Sequence, residues 1–314
     1  MEAMVEIESL TKRFGPITAV NDVSFTVGRG EVLGFLGPNG AGKSTTMKMV
    51  TGFLHPDAGR VRIVGDDLAS HPVAVKTRLG YLPEGAPLYG DMTPLGFLDF
   101  IASIRGFSGA EKRRRIDAVV DRVNLQQVLN QPTETLSKGF KRRVGLAQAI
   151  LHDPEVLILD EPTDGLDPNQ KHEVRLLIQE MAADKAIVLS THILEEVDAV
   201  CTRAVIISDG QIVADGTPEQ LQSRAPGHNA VHLEIRGADA ETVRSTLAGV
   251  AGVDDIDVTQ ENNSVHCTIA NSYGQSVAGE VSKAAHAQGW EVAELRVETG
   301  RLDTVFREIT QTGA

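Results

Sequence analysis

The sequence predicts an α/β protein whose main sheet has parallel strands that end in polar loops along one edge. Three stretches predict this class: a glycine-rich loop between an apolar strand and a helix, and two further apolar strands that run directly into polar residues. They occupy residues 31–52, 156–162 and 185–192 of the 314-residue chain. Because ligands of such sheets bind beyond the carboxyl ends of the strands, we expect the functional residues in the loops that follow them.

The glycine-rich loop fits the phosphate-binding pattern G-x-x-x-x-G-K-S/T. Its residues are Gly37, Pro38, Asn39, Gly40, Ala41, Gly42, Lys43 and Ser44, and Thr45 continues into the helix. Glycines let the backbone turn so that successive N–H groups point at phosphate oxygens, and the helix N-terminus adds partial positive charge. Lys43 is expected to reach the β- and γ-phosphates, and the Ser44 hydroxyl to ligate Mg²⁺.

Two adjacent carboxylates follow the second apolar strand. Residues 156–159 are Val-Leu-Ile-Leu, which is typical of a strand buried on both faces, and Asp160 and Glu161 come next. Because unpaired buried carboxylates are costly, a cation is expected beside them. We interpret Asp160 as a partner of Mg²⁺ and Glu161 as the base for an attacking water. The alternative is a pair of exposed carboxylates in a turn.

Three further residues have both a structural and a functional interpretation. His192 follows the third apolar strand, where a histidine can bond a phosphate or orient a water, or can simply satisfy its neighbours. Ser137 precedes a helix whose first N–H groups suit an anion, although an N-cap role explains this serine equally well. Phe14 is either a packing residue or a platform for a base.

The pattern along the chain predicts two domains, residues 1–225 and 226–314. In the first we expect strands near 4–10, 20–27, 59–65, 79–84, 204–207 and 211–214, the last two joined by a hairpin turn at Asp209-Gly210. We also expect helical periodicity from 93 to about 129, and a helical subdomain from about 84 to 150. In the second we expect strands at 231–235, 255–259, 265–270 and 291–297, helices at 239–250 and 274–288, a turn at Asn262-Asn263, and a last helix at 301–310. The resulting βαββαβ order predicts a small α+β domain of the ferredoxin-like type.

Charge and hydropathy limit the partners. The formal net charge is −13, and residues 226–314 contain 13 Asp and Glu against 6 Lys and Arg. Such an acidic segment argues against nucleic acid or anionic lipid as its main partner. Apolar runs stay far below the ~18 residues that span a bilayer, so we expect any membrane role to act through a partner. The two cysteines, Cys201 and Cys267, lack metal-ligand spacing and fit buried thiols.

Taken together, residues 4–225 resemble the ATP-binding subunit of an ABC transporter. Residues 37–45 match the Walker A loop and residues 156–160 the Walker B strand, with Glu161 at the position of the catalytic glutamate. Residues 165–167, which end in Asp167, look like the D-loop, and His192 like the switch histidine. Phe14 matches the aromatic residue that stacks on adenine, so the resemblance favours the platform role for it.

Two departures from the family pattern stand out. The LSGGQ segment is Leu-Ser-Lys-Gly-Phe at residues 136–140, and Glu84 takes the place of the Q-loop glutamine. Both changes resemble the exporter branch that includes gliding-motility and antibiotic-resistance ATPases. Ser137 and the N–H of Gly139 can still contact a γ-phosphate, Lys138 can add charge, and Glu84 can offer an oxygen to Mg²⁺ or water.

The resemblance implies an ATPase that uses ATP and Mg²⁺. Two copies would pair head to tail, with each ATP between the Walker A loop of one copy and Ser137, Lys138, Gly139 and Asp167 of the other. ATP-driven closure would then drive a transmembrane permease docked on the helical subdomain. The resemblance implies a peripheral position at the cytoplasmic face of the inner membrane, with export favoured and no nucleic acid partner.

Two other classes of function are alternatives to a transport ATPase. One is a soluble ABC-type ATPase that remodels a macromolecular partner such as a ribosome or DNA. Only one Walker A loop and no sustained heptads occur in this chain, whereas those classes resemble paired cassettes or carry long coiled coils. The other is a nucleotide sensor without hydrolysis, which Glu161 and His192 argue against.

Overall fold

The computed structural model describes residues 3–225, 227–261, 263–270 and 276–311. Its contacts divide the chain into two compact units, whose described parts are residues 3–218 and residues 219–311. This division falls seven residues before the boundary expected after residue 225. A short helix, Pro218–Gln222, lies at the division. The assignment of the two predicted domains to separate functions stays a prediction.

The first unit alternates strands and helices. Its strands are β1 (Ala3–Phe14), β2 (Ile17–Gly28), β3 (Val32–Leu36), β4 (Ala58–Ile63), β5 (Asp66–Asp67), β6 (Leu79–Leu82), β7 (Val156–Asp160), β8 (Ala186–Thr191), β9 (Arg203–Ser208) and β10 (Gln211–Gly216). Its helices are α1 (Lys43–Val50), α2 (Pro72–Arg78), α3 (Pro94–Ile104), α4 (Gly109–Arg122), α5 (Lys138–Ile150), α6 (Pro168–Ala182) and α7 (Leu194–Val200), and α8 is the helix Pro218–Gln222.

The main sheet has six strands in the order β10-β9-β3-β8-β7-β6. The five strands from β9 to β6 are parallel to their neighbours, and β10 pairs antiparallel with β9 through the turn at Asp209-Gly210. Every residue of β3, β7 and β8 is buried, as expected for apolar strands covered on both faces. The predicted α/β class with a parallel sheet is thus confirmed.

A second, antiparallel sheet in the order β2-β1-β4-β5 packs against the main sheet. The rings of Phe25 on β2 and Phe35 on β3 lie 5.3 Å apart, centroid to centroid. Their cluster also includes Met47 and Met49 of α1, so α1 belongs to the core shared by the two sheets. The loop between β3 and α1 is therefore held by buried elements on both sides.

The helical region consists of three helices, α3, α4 and α5. The periodicity expected across 93–129 is interrupted after α3, where Gly106 has φ +86°, so that two helices replace one continuous pattern. Ile116, Val119, Val120 and Val123 recur at helical spacing and are buried, so they mark the face of α4 that packs inward. Thr93 caps α3 by accepting a hydrogen bond from the Gly96 N–H.

The second unit contains one four-stranded antiparallel sheet with helices between its strands. After α8 come β11 (Val231–Arg236), α9 (Ala240–Ala248), β12 (Asp255–Glu261), β13 (Ser264–Ala270), α10 (Ala278–Ala287), β14 (Glu291–Val297) and α11 (Leu302–Gln311). The spatial strand order is β12-β13-β11-β14. Asp239 caps α9, as expected. Asn262 of the expected turn and the expected helix start at Gly274 lie outside the described residues. The βαββαβ order is as expected, and the ferredoxin-like assignment of this unit stays a prediction.

Candidate active site

The register of three parallel strands brings the polar loops together. Leu36 at the end of β3 is opposite Thr191 of β8, and Asp160 at the end of β7 is opposite Ser190 of β8. The glycine-rich loop, Glu161 and His192 each follow one of these strand ends. Their common position at one edge of the sheet is therefore a direct consequence of parallel pairing.

Glycine is required at several positions of the loop between β3 and α1. Gly42 is the N-cap of α1 with φ +106°, and Gly40 has φ +85°. A Cβ at Gly37 would lie 2.5 Å from the carbonyl oxygen of Ile207, and one at Gly42 would lie 2.5 Å from that of Ala19. Both contacts are with backbone, which cannot move aside cheaply. Pro38, Asn39 and Gly40 are exposed, Ala41, Gly42 and Lys43 are buried, and Ser44 and Thr45 are half-buried in the first turn of α1.

Lys43 is held over this loop. Its ammonium group donates hydrogen bonds to the carbonyl oxygens of Gly37 and Pro38, at 2.7 and 3.1 Å. Burial lowers the pKa of Lys43, and the negative charges of nearby carboxylates, foremost that of Glu161, oppose the shift. The side chain is only 6% exposed, so it presents a positive charge inside the cluster of loops rather than to solvent.

Asp160 is a buried carboxylate with one free oxygen. The Ser190 hydroxyl donates a hydrogen bond to its Oδ1, and the nearby Ser44 hydroxyl opposes the rise in its pKa. Its Oδ2 is buried without a hydrogen-bond partner. Burial is the main cause that raises the pKa of Asp160. A buried oxygen of this kind is costly unless a ligand satisfies it, and a hard cation is the ligand that suits it.

Glu161 and His192 form a pair. Nδ1 of His192 lies 2.9 Å from Oε1 of Glu161. The Glu161 side chain is 12% exposed and that of His192 is 52% exposed, so the pair lies at the rim of the site. Glu161 has φ +51°, a left-handed conformation that costs an L-residue of this kind about 1–3 kcal/mol. Such strain, where it occurs, is common at functional sites.

Sequence reasoning missed two residues that touch this group. Ser190, the partner of Asp160, is visible only once the register of β7 and β8 is known. Arg142 of α5 donates hydrogen bonds to the carbonyl oxygens of Pro83, Asp160 and Glu161. No local signal singles out Arg142, because the adjacent residues Lys141 and Arg143 are charged as well.

Two of the residues expected to contact a nucleotide of a second copy, Gly139 and Asp167, lie beside Gln170 of α6. Asp167 caps α6 by accepting a hydrogen bond from the Gln170 N–H at 2.9 Å. A Cβ at Gly139 would lie 2.6 Å from Oε1 of Gln170. Ser137 is the N-cap of α5 and accepts a hydrogen bond from the Phe140 N–H at 3.3 Å. The N-cap role is thus present, and it leaves the serine hydroxyl free to donate.

Three more predicted residues lie near these groups. Lys138 lies over Gly165, where a Cβ would meet its side chain at 3.4 Å. Glu84 is exposed, and its negative charge contributes to the raised pKa of Asp160, which indicates that the two carboxylates are near each other. Phe14 is 49% exposed, with the Lys12 ammonium 5.7 Å from its ring centroid. Its ring is therefore available to a planar ligand.

Comparison with known proteins identifies the family. The model of the ABC transporter family matches residues 20–164. The linearmycin resistance ATP-binding protein LnrL of Bacillus subtilis is 30% identical over 308 residues, which is 98% of each chain. The Nod factor export ATP-binding protein I of Ralstonia nicotianae is 36% identical over 79% of this chain and 77% of its own. The chain belongs to the ABC transporter ATP-binding protein family. As an ABC ATPase, it binds and hydrolyses ATP.

Solved structures agree with this family. An ATP-binding subunit of an ABC transporter superposes with a TM-score of 0.65 at 34% identity, over 70% of this chain and 92% of its own. The dimeric ATP-binding cassette MJ0796, in a post-hydrolysis state with ADP and Pi, superposes with a TM-score of 0.64 at 23% identity, over 68% of this chain and 98% of its own. The second likeness concerns the fold alone. Within the part of this ABC ATPase that the structure describes, no helix is both long and apolar enough to span a membrane.

Proposed function

We propose that this chain is the ATP-hydrolysing subunit of a membrane exporter, and that two copies close head to tail on ATP. The observation that supports hydrolysis best is the convergence of Lys43, Asp160, Glu161 and His192 at the ends of three adjacent strands. Phosphoryl transfer requires positioning and charge neutralisation more than covalent chemistry, and these side chains supply both.

In this proposal the glycine-rich loop cradles the phosphates with its backbone N–H groups, from Gly37 to Thr45. The Lys43 ammonium group already lies over this loop, bonded to the carbonyl oxygens of Gly37 and Pro38. When ATP binds, it would exchange these bonds for bonds to the β- and γ-phosphates. Phe14 stacks on the adenine ring, since its exposed face has no large hydrophobic cover.

Mg²⁺ fits the oxygen atoms present. Magnesium is bound in such enzymes by one or two protein oxygens together with substrate phosphates and water. The unpartnered Oδ2 of Asp160 and the nearby hydroxyl of Ser44 would hold it, and Glu84 would bond a water of its shell. When bound, the ion would neutralise charge on the phosphates.

Glu161 acts as the general base in this account. Its carboxylate accepts a proton from the attacking water, whose oxygen bonds to the γ-phosphorus as the bond to the ADP oxygen breaks. His192 holds the carboxylate through the 2.9 Å contact and, being half exposed, can also reach the γ-phosphate. The products are ADP and phosphate.

A second copy would complete each site. Gly139 and Asp167 lie beside Gln170, and Ser137 and Lys138 directly precede Gly139 in the chain. We propose that all four contact the γ-phosphate bound to the partner copy. A twofold arrangement closes such an interface and makes two equivalent sites. The dimeric form of MJ0796, a protein of the same fold, supports this choice.

An apolar groove supports a membrane partner. The groove has a volume of about 830 Å³ and lies among α2, α3 and the loop after β6. Phe53 and Ile104 line it and are 73% and 66% exposed, which is unusual for large apolar side chains. We propose that a transmembrane permease docks here, on the helical subdomain from about 84 to 150, and holds this chain at the cytoplasmic face of the inner membrane. The names of the relatives, Nod factor export and linearmycin resistance, favour export.

Replacement of the base gives the sharpest test of this proposal. Glu161→Gln should keep ATP bound but lose on the order of 10²–10⁴-fold in turnover, because the general base is gone. The measurements are phosphate release under saturating ATP and calorimetric ATP affinity. Glu155→Gln, at the opposite end of the same strand and 41% exposed, is the matched control and should hydrolyse normally.

Near-normal turnover by Glu161→Gln would overturn the role of Glu161. The membrane partner is tested by purifying the tagged chain from detergent-solubilised membranes with its genomic neighbours expressed. Recovery of the chain without any membrane protein would contradict the transport proposal.

A further inference from the structure

We propose that Arg142 is a positioning residue for ATP hydrolysis, which ties the backbone of Glu161 to the loop that carries Glu84. This inference rests on the proposed roles of Glu161 and Glu84, and it adds a residue that lies outside every nucleotide-binding motif of the chain. Arg142 touches neither the substrate nor the base carboxylate, and it acts through backbone carbonyl oxygens.

The hydrogen bonds of Arg142 join its own helix, α5, to the loop after β6 and to the end of β7. Nη1 donates to the carbonyl oxygen of Pro83 at 3.1 Å. Nη2 donates to the carbonyl oxygen of Asp160 at 2.9 Å and to the carbonyl oxygen of Glu161. The side chain is 5% exposed. Hydrogen bonds from a charged donor are about twice as strong as neutral ones, and a planar guanidinium fixes the directions of its acceptors. The three carbonyl groups are therefore held in one rigid arrangement.

Glu161 needs this support because its backbone is strained. Its φ of +51° persists only when the surroundings over-determine it. Its N–H donates to the carbonyl oxygen of Ser190 at 3.0 Å, and its own carbonyl oxygen accepts from Arg142 and from the Asp164 N–H, the latter at 3.2 Å. The bond from Asp164 lies within the local turn, so Arg142 is the tie that joins this carbonyl group to α5. Without Arg142 the turn can shift as a unit, Glu161 can relax to a negative φ, and its carboxylate leaves His192.

Arg142 also links Glu161 to the two segments that are proposed to lie near the second copy and the permease. Its helix, α5, begins at Ser137, the residue proposed to contact the nucleotide of the second copy. Pro83 immediately precedes Glu84 in the loop beside the apolar groove. A shift of α5 or of the loop that carries Glu84 therefore changes the hydrogen bonds of the Arg142 guanidinium. Through those bonds, the shift also moves the backbone and the carboxylate of Glu161.

The next residue on α5 offers a matched control. Arg143 is also buried, at 8% exposure, but it bonds Glu173 at 3.0 Å and the carbonyl oxygen of Val123. It has the same side chain as Arg142, lies on the same helix and is similarly buried, and its contacts with Glu173 and Val123 are away from the strand ends. Loss of Arg143 therefore reports the general cost of removing a buried arginine from α5.

The test compares Arg142→Gln, Arg142→Lys and Arg143→Gln in the full chain. Arg142→Gln should lower kcat on the order of 10²-fold with little change in ATP affinity, as expected when a catalytic group is misplaced by about 1 Å. Arg142→Lys, which keeps the charge and some donors, should fall between Arg142→Gln and the wild type. Arg143→Gln should change kcat less than about threefold, the scale of a generic packing defect.

A second measurement does not depend on hydrolysis. In the nucleotide-free chain, amide hydrogen exchange at residues 160–166 should be faster in Arg142→Gln than in Arg143→Gln, because one tie on Glu161 is lost. If the wild type lacks ATPase activity, the proposed function fails, yet this exchange still tests the role of Arg142. Equal kcat and equal exchange in the two glutamine variants would overturn the inference, and so would a loss of ATP affinity as large as the loss of kcat.

Discussion

At the scale of single residues, burial of the Asp160 carboxylate lowers the stability of the folded chain when no nucleotide or cation is bound. Its carboxylate is buried, one of its oxygens lacks a partner, and burial raises its pKa. The folded chain therefore holds a proton on Asp160 more readily than the unfolded chain does. Above this raised pKa, ionisation of Asp160 costs folding free energy in the absence of a cation.

Removing this charge should stabilise the nucleotide-free chain. Asp160→Asn is expected to raise the free energy of unfolding at pH 7.5 by about 1 kcal/mol, within the range of functional sites relieved of strain. The gain should shrink as the pH falls through the raised pKa of Asp160 towards 3.8, its ordinary value, because the wild-type carboxyl is then neutral as well. Thermal unfolding of both proteins at pH 7.5 and pH 4 measures the difference. A variant that melts below the wild type at pH 7.5 would refute this account of Asp160.

The residues that could be predicted from the sequence are those at the ends of strands. Asp160, Glu161 and His192 follow apolar runs, so the topology of a parallel sheet is enough to bring them together. Arg142 could not be predicted in the same way. It acts on carbonyl groups 59, 18 and 19 residues away, and no local pattern encodes that distance.

At the scale of elements, the sequence analysis predicted the buried strands β7 and β8 but did not predict the helices α6 and α2. β7 and β8 are apolar without interruption and end in polar residues, which marks both their type and their ends. The helix α6 went unrecognised, although Val174, Leu177, Ile178 and Met181 form a buried stripe at helical spacing. Short α2 offers too few apolar positions, with only Val75 buried, to reveal a period.

The packing of β6 against α5 depends on a glycine. A Cβ at Gly80 would lie 2.2 Å from the carbonyl oxygen of Ala149. Gly80→Ala should therefore destabilise the first unit by about 2 kcal/mol, since backbone must shift to relieve an overpacked core. Gly90→Ala is the control, because a Cβ there meets only Glu134 at 3.4 Å, and it should change stability by less than about 0.5 kcal/mol. The measurement is the midpoint of denaturant unfolding for both variants. Equal midpoints would show that β6 and α5 can move apart to accept a Cβ at residue 80 without loss of stability.

At the scale of the whole molecule, the chain is an ABC ATPase unit followed by a second compact unit. We propose that the ATPase unit contains both halves of a nucleotide site: the loops at the strand ends, and the residues Ser137, Gly139 and Asp167. In the proposed function these halves belong to different ATP molecules, so one copy alone cannot complete a site. Pairing of copies is therefore the central claim.

Light scattering on the Glu161→Gln protein tests that claim most directly. This variant should bind ATP without consuming it, so the closed state accumulates. We predict the mass of one copy, 33.7 kDa, without nucleotide and twice that mass with millimolar Mg·ATP. A Ser137→Ala change in the same background should weaken the pairing, because the contact from the second copy is lost. A Glu161→Gln protein that binds Mg·ATP and still has the mass of a single copy would contradict the account.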